Sequence, residues 1–549
     1  MDARLAMSAA AAPEGGPTEP LLDVDDIQGN AIPGFMKPYQ YVMALRIEDA
    51  VAAKRWLASN AGLFTTIAGL LPSRLAVRAE RLARRVSAGA TEAAAALDDA
   101  WLNIAFSYAG LAKLLAGTAH ESDLAAFTDE AFVAGLVARS RLLGDPVDPA
   151  AEGNPANWVV GGPGNEPDIL LVFGTDNPTT QESFVATRRA SATGGGMTVL
   201  YEEAGQKLNP LGQEHFGFKD GVSQPGPRGR VAADPDTYLT PRSIDPSATP
   251  AAWFYGLPGQ YLVWPGEFVF GLPAAAADPL LPGPAEVPGP GWSANGSYLV
   301  FRRLRQDVAG FRAFVAEQAA AVAKQPGFSQ VTPDLLAAWI VGRWPSGAPV
   351  SRTPSGDVPG LGADPLANNH FGYAAASVRL PLTGGDQDAY PLAPSDPVGL
   401  TCPLPAHIRK VNTRDAGNDQ GGRRASFNRR VLRVGLPFGP PLPDNEPDPV
   451  NGNRGLLFLC YQRSIVEQFE FLNTTWMGDP TNPRAPSGYD LLVGQNGQPG
   501  DQRVRSATLL NGEGGTATVT ASVEYVIPTG GGYFFSPSIS AITTVLAAS

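Results

Sequence analysis

The spacing of apolar and polar residues along this 549-residue chain changes period repeatedly, and each change marks a predicted element. Residues 39–47 (Tyr-Gln-Tyr-Val-Met-Ala-Leu-Arg-Ile) have strand character, and 48–57 then place their apolar residues at helical intervals. The same pairing recurs as a strand over 101–106 and a helix over 108–115. Between them, the Arg- and Ala-rich stretch 74–99 fits either a helix or a mobile excursion. The nearly continuous apolar run 168–173 suits a strand buried on both faces, followed by a helix over 178–189 and a strand over 197–202. Two successive β-α-β units predict an α+β half of ferredoxin-like type.

The second half repeats the theme. Residues 297–304 predict a strand with Tyr298, Val300 and Arg302 on one face. Residues 307–323 predict a helix that starts from Asp307 as cap and carries Val308, Phe311, Phe314, Val315 and Val322 on an apolar stripe. Strands follow at 430–434 and 456–461, then a helix over 464–473. The expected architecture is therefore two ferredoxin-like domains, each an antiparallel β-sheet packed with helices. The expected boundaries are a disordered leader at 1–24, a first domain at 25–230, a linker at 231–293 and a second domain at 294–549, with a long Pro/Gly-rich insertion at 345–428.

Composition narrows the function classes. A 44% hydrophobic and 17% charged chain is globular, and 62 glycines with 52 prolines spread along it predict many long ordered loops. A net charge of −12 argues against a nucleic-acid surface, which needs a basic face. Two cysteines, Cys402 and Cys460, cannot make a disulfide framework or a cysteine-rich zinc site. No apolar run reaches the roughly eighteen residues of a membrane-spanning helix. The N-terminal stretch lacks the apolar core of a signal peptide, which predicts a cytoplasmic location.

Candidate chemistry gathers at a few places. In Gly217-x-x-Asp220-Gly221, glycines bracket a carboxylate; this is either a surface turn or a device for aiming Asp220 at a ligand. Among the four histidines, His120, His215, His370 and His407, no pair has the spacing of a helical zinc motif. His407 precedes Arg409, Lys410 and Arg414, which reads either as a solvated basic patch or as one axial ligand to haem iron with cations neutralising the haem propionates. Cys402 as a thiolate ligand lacks the surrounding sequence that reading needs. Arg433, near a strand end before a Gly/Pro turn, is either an edge cation or an arginine held in a pocket to stabilise an anion.

Five motifs occur in order: Asp26-Ile-Gln-Gly-Asn30, Phe216-Gly-x-x-Asp220-Gly221, Ala406-His407-Ile-Arg-Lys410, Arg433-x-Gly-x-Pro-Phe-Gly439 and Gly455-Leu-Leu-Phe-Leu-Cys-Tyr461-Gln462. Together, over about 25–495, they resemble the dye-decolorizing peroxidase family. The resemblance implies one haem b (iron protoporphyrin IX) per chain, held mainly by the C-terminal half. It implies His407 as the proximal iron ligand, with Asp220 and Arg433 on the distal side. It also implies Arg409 near the propionates, Leu456 and Phe458 over the distal haem face, and Asp490 as the partner of the His407 ring.

Asp220 would move a proton between the two oxygens of hydrogen peroxide, and Arg433 would stabilise charge as the O–O bond breaks. An aspartate in this role implies an acidic pH optimum. The expected activity is one-electron oxidation of bulky dyes and phenols, with a surface tyrosine or tryptophan (Tyr461 and Trp476 are candidates) passing electrons inward. His215 is expected to be structural or to tune the distal motif, and His370 to be structural. The alternative is a haem-binding carrier or iron-handling protein on the same scaffold. Oligomeric state stays open between monomer and dimer.

Overall fold

A computed structural model describes residues 16–86, 99–209, 212–234, 236–383, 388–443, 452–496 and 503–548. In the first half, strands β1 (Tyr39–Ile47), β2 (Ala100–Phe106), β3 (Ile169–Thr175) and β4 (Met197–Gln206) pair antiparallel in the order β4-β1-β3-β2. Helices Ala50–Asn60 and Pro178–Gly194 follow β1 and β3. Asp49 and Asn177 cap them by accepting hydrogen bonds from first-turn N–H groups. Strand order and connections are those of a ferredoxin-like unit.

The second half uses the same order. Its strands are β5 (Ser297–Gln306), β6 (Leu432–Arg433 and Leu436–Phe438 in one register), β7 (Gly455–Gln462) and β8 (Val526–Ser536). They run β6-β7-β5-β8, all antiparallel. Asp307 caps the helix Val308–Val322 after β5, accepting from the Gly310 N–H at 2.9 Å. The predicted helix after β7 forms as two π-helical stretches, Ile465–Glu470 and Leu472–Met477.

The two sheets meet edge to edge twice, at Phe106–Phe535 between β2 and β8 and at Gly205–Phe438 between β4 and β6. Eight strands thus close into a ring, joined by one residue pair at each seam. Alternate residues face different cores. Met43 and Leu45 pack with Trp56 and Leu57 of the first helix, whereas Val42 and Ala44 join Leu299, Phe301, Leu457 and Leu459. A third core gathers the helices Val308–Val322 and Pro333–Val341 with the hairpin Arg505–Leu510/Thr516–Ala521.

Two sequence boundaries are corrected and one open alternative is resolved in part. Order begins before residue 25, because Glu19 is buried in an ion pair with Arg228 at 2.9 Å and Leu22 is buried; residues 1–15 lie outside the described set. The stretch 231–293 is no linker: Val263, Trp264, Phe268 and Phe270 are fully buried in it. The helix Ile67–Val86 takes up the first part of 74–99, and 87–98 lie outside the described residues.

The first motif stitches the β2–β8 seam. Gln28 Nε2 donates to the carbonyls of Ile104 at 2.9 Å and Pro537 at 2.7 Å, while its Oε1 accepts from the Ile104 N–H at 2.9 Å. Asn30 N–H donates to Asn103 Oδ1 at 2.7 Å. A Cβ on Gly29 would stand 2.2 Å from the Leu70 side chain and 2.9 Å from the Thr66 carbonyl, so only glycine fits there. Replacing Gln28 by Leu strands the Ile104 N–H and the Pro537 carbonyl and leaves the Ile104 carbonyl with only Ser536 Oγ, at 3.2 Å, as a side-chain donor. We expect unfolding stability to drop by about 3 kcal/mol. An unchanged melting temperature would show that these bonds do not hold the seam.

Candidate active site

The chain leaving β4 forms the loop that carries Asp220. Gly217 (φ 94°) and Gly221 (φ 74°) both take left-handed backbone angles, as the bracketed carboxylate predicted. Open space surrounds both, so the backbone angle and not crowding calls for glycine. The Asp220 carboxylate meets Arg433 Nη1 at 3.2 Å, joining residues 213 positions apart. Arg433 pairs in register with Cys460, and Pro437 with Leu456, on β7. Directly paired residues project to the same face, so Arg433, Leu456 and Phe458 share one face of the sheet. Leu456 and Phe458 are only partly buried although Leu457 and Leu459 between them are fully buried. On a strand flanked by β5 and β6, that marks an apolar floor left partly uncovered by the protein's own side chains.

His407 opens the short helix His407–Lys410, and its Nδ1 lies 2.7 Å from Asp490 Oδ2. Asp490 is completely buried, and its Oδ1 accepts from the N–H groups of Leu492 at 2.9 Å and Val493 at 3.1 Å. Burial pushes this carboxyl up, but the charge and hydrogen bond of His407 and the two N–H groups outweigh it and hold it below the usual value. With Nδ1 so engaged, Nε2 is the ring nitrogen available to a ligand. Among the described residues no group of three or more His, Cys, Asp or Glu could hold a metal ion.

The cations after His407 are not a solvated patch, since Arg409, Lys410 and Arg414 are all buried. Lys410 Nζ donates to the Asp479 carbonyl at 2.9 Å, and burial pushes its ammonium down to about 8. Arg409 pairs with Asp396 at 3.0 Å and donates to the Cys402 carbonyl at 2.6 Å, so its charge is already balanced.

Arg414 and Arg343 differ: among the described residues no carboxylate bonds to either. Arg343 donates to the Gly347 and Asn368 carbonyls at 2.7 and 2.6 Å and to Ser223 Oγ at 2.9 Å. Both arginines converge on Asn369 Oδ1. Arg414 Nε is buried without a partner. Burial, then the like charge of Arg414, pushes Arg343 down to about 9. Two buried guanidinium groups without an acid make a site that an anion would relieve. Sequence reasoning passed over Arg343; the available signal was a cation ending the apolar run Trp339-Ile-Val-Gly-Arg343-Trp344.

Other expectations sort plainly. Tyr461 and Trp476 are buried, and Trp476 Nε1 donates to Asp419 at 2.8 Å, so neither presents a surface to a dye. His215 is buried with Nε2 2.7 Å from the Phe438 carbonyl, tying the Asp220 loop to β6. His370 lies 3.4 Å from Asp388, which also pairs with Arg352. Glu214 was not foreseen. Its two oxygens accept from the N–H groups of Phe216 and Phe218, both at 2.9 Å, and Gln306 of β5 also donates to it. Burial raises this carboxyl from 4.5 to about 7 despite those donors. A raised folded-state value means that stability present below pH 4.5 is lost as pH climbs through about 7. Glu214→Gln should therefore flatten the fall of melting temperature across that window; an identical slope in both proteins would refute the assignment.

Residues 26–206 match the family model described as "DyP dimeric alpha+beta barrel domain". The chain is 31% identical over 543 residues to the dye-decolorizing peroxidase msp1 of Mycetinis scorodonius, covering 96% of this chain and 88% of that one. An ancestral D-type dye-decolorizing peroxidase matches the fold with a TM-score of 0.72 at 29% identity, over 96% of this chain and 100% of that one. A dye-decolorizing peroxidase solved with 2,6-dimethoxyphenol matches with a TM-score of 0.69 at 25% identity, over the same shares. A closed ring of two ferredoxin-like halves, a carboxylate-backed histidine and near-full-length likeness agree: the chain belongs to the dye-decolorizing peroxidase family and is a haem peroxidase.

Proposed function

We propose that the chain binds one haem b, whose iron His407 Nε2 would hold, and uses hydrogen peroxide to oxidise bulky dyes and phenols in one-electron steps at acidic pH. The observation that carries this reading is His407, whose Nδ1 is locked on a buried carboxylate so that one nitrogen is left for iron. The residues present fit the cofactor. Leu456 and Phe458 supply an apolar face for a flat macrocycle. Arg343 and Arg414 suit its two carboxylates better than Arg409, which Asp396 already neutralises. Bound haem supplies the redox-active iron.

The chain's own residues then handle the proton and the charge. Asp220 takes a proton from one peroxide oxygen and returns it to the other. The Arg433 guanidinium stabilises the negative charge that grows as the O–O bond breaks. Their 3.2 Å contact aims both groups at one small volume. A haem carrier would have no use for this pair. Phenols enter as substrates through the relative that binds 2,6-dimethoxyphenol. Among the described residues no helix is long and apolar enough to cross a membrane, and a cytoplasmic location remains our reading of the N-terminal sequence.

His407→Ala should purify without a Soret band from haem-replete cells; full haem occupancy would rule His407 out as the ligand. Asp490→Asn should retain haem but raise the iron reduction potential in spectroelectrochemical titration, because a neutral amide makes the imidazole a weaker donor. Asp220→Asn should slow the peroxide-driven change of the Soret spectrum about 100-fold or more. The wild-type rate should peak in acid, and an optimum above about pH 8 would contradict Asp220 as the proton-transfer group.

A further inference from the structure

Asp220 and Arg433 come from opposite halves of the chain, and their contact is made between a loop and a strand. Antiparallel partners alternate between pairs that exchange backbone hydrogen bonds and pairs that do not. The Val434 N–H donates to the Leu459 carbonyl at 3.0 Å, so position 434 is a bonded one. At Arg433 the backbone N–H and C=O therefore point away from β7, toward the loop. Gln224, four residues beyond Asp220, meets both. Its Nε2 donates to the Arg433 carbonyl at 2.6 Å, and the Arg433 N–H faces its Oε1 at 3.4 Å. A primary amide offers donor and acceptor side by side, so Gln224 serves Arg433 as a neighbouring strand would.

We propose that Gln224 is the positioning residue that sets the separation of Asp220 and Arg433, by fastening the loop that carries the acid to the backbone of the strand that carries the arginine. The loop's other ties to its surroundings leave this task open. His215 fastens its far side to Phe438, and Lys219 donates to the Gly362 carbonyl at 2.9 Å. Ser223 Oγ donates to Asn369 Oδ1 at 2.9 Å, which anchors the loop to the arginine cluster and not to β6. Asp220 has local ties, its N–H to the Gly212 carbonyl at 3.2 Å and its Oδ1 from the Gly221 N–H at 2.6 Å, but these hold it to its own loop and not to β6. The inference rests on reading Asp220 and Arg433 as the peroxide-handling pair.

The test uses haem-loaded protein and compares Gln224→Leu, Gln224→Glu and Asp220→Asn with wild type between about pH 4 and 8. Two rates are read, the peroxide-driven Soret change and the association of cyanide, whose binding as an anion also needs a nearby proton acceptor. Gln224→Leu should lower both rates about 10- to 100-fold with haem occupancy unchanged, the cost of a misplaced group.

Gln224→Glu supplies the control within one protein. As a neutral acid it keeps a donor for the Arg433 carbonyl and an acceptor for its N–H; as a carboxylate it opposes that carbonyl with negative charge. Its rates relative to wild type should therefore recover as pH falls. Wild-type rates in Gln224→Leu would overturn the proposal, as would Gln224→Glu failing equally at every pH. If Asp220→Asn also keeps the wild-type rates, the peroxide-handling reading itself fails; if it is slow while Gln224→Leu is fast, only the role of Gln224 falls.

Discussion

The junction of β4 and β6 is the constraint on which the site depends. β4 ends the first ferredoxin-like half and β6 lies in the second; they touch at Gly205 and Phe438. Gly205 makes the approach possible, since a Cβ there would already crowd the Pro437 carbonyl at 3.2 Å and the Leu436 side chain at 3.3 Å. The loop after β4 then has little choice but to lie along β6. Asp220 meets Arg433 because two sheet edges, each unable to end unpaired, satisfy one another there.

Electrostatics set the second requirement. Burying Arg343 and Arg414 without an acid is costly, and carbonyls, Ser223 and Asn369 offset only part of that cost. Arg409 shows what a balanced buried arginine looks like in the same segment, with Asp396 as its counter-ion. Among the described residues, the charge of Arg343 and Arg414 is thus left without an acid partner. The Asp490–His407 pair is the opposite case, a buried carboxylate fully used by the chain and holding one imidazole in one tautomer.

Much of the fold was legible because strands and helices here obey short-range rules. β1, β2 and β3 show apolar alternation or continuous apolar runs, and Asp307 lies at the helix start where capping places it. β8 escaped notice because three consecutive glycines, Gly530–Gly532, break its pattern; a Cβ on Gly531 would come within 2.2 Å of the Phe301 carbonyl. The segment 231–293 was misread because Pro and Gly there signal turns, while the burial of Trp264 and Phe268 depends on partners far away in sequence.

By itself the sequence determined the α+β repeat, the glycine-bracketed Asp220 and the order of motifs that marked His407 and Arg433, because each is carried by neighbours a few residues apart. Tertiary structure alone decided which charges were spoken for. That Arg409 is balanced and Arg414 is not, that Tyr461 and Trp476 are buried, and that Gln224 reaches the Arg433 backbone are all contacts between residues distant in the chain. Closure of the two sheets into one ring, and not any local propensity, sets those contacts.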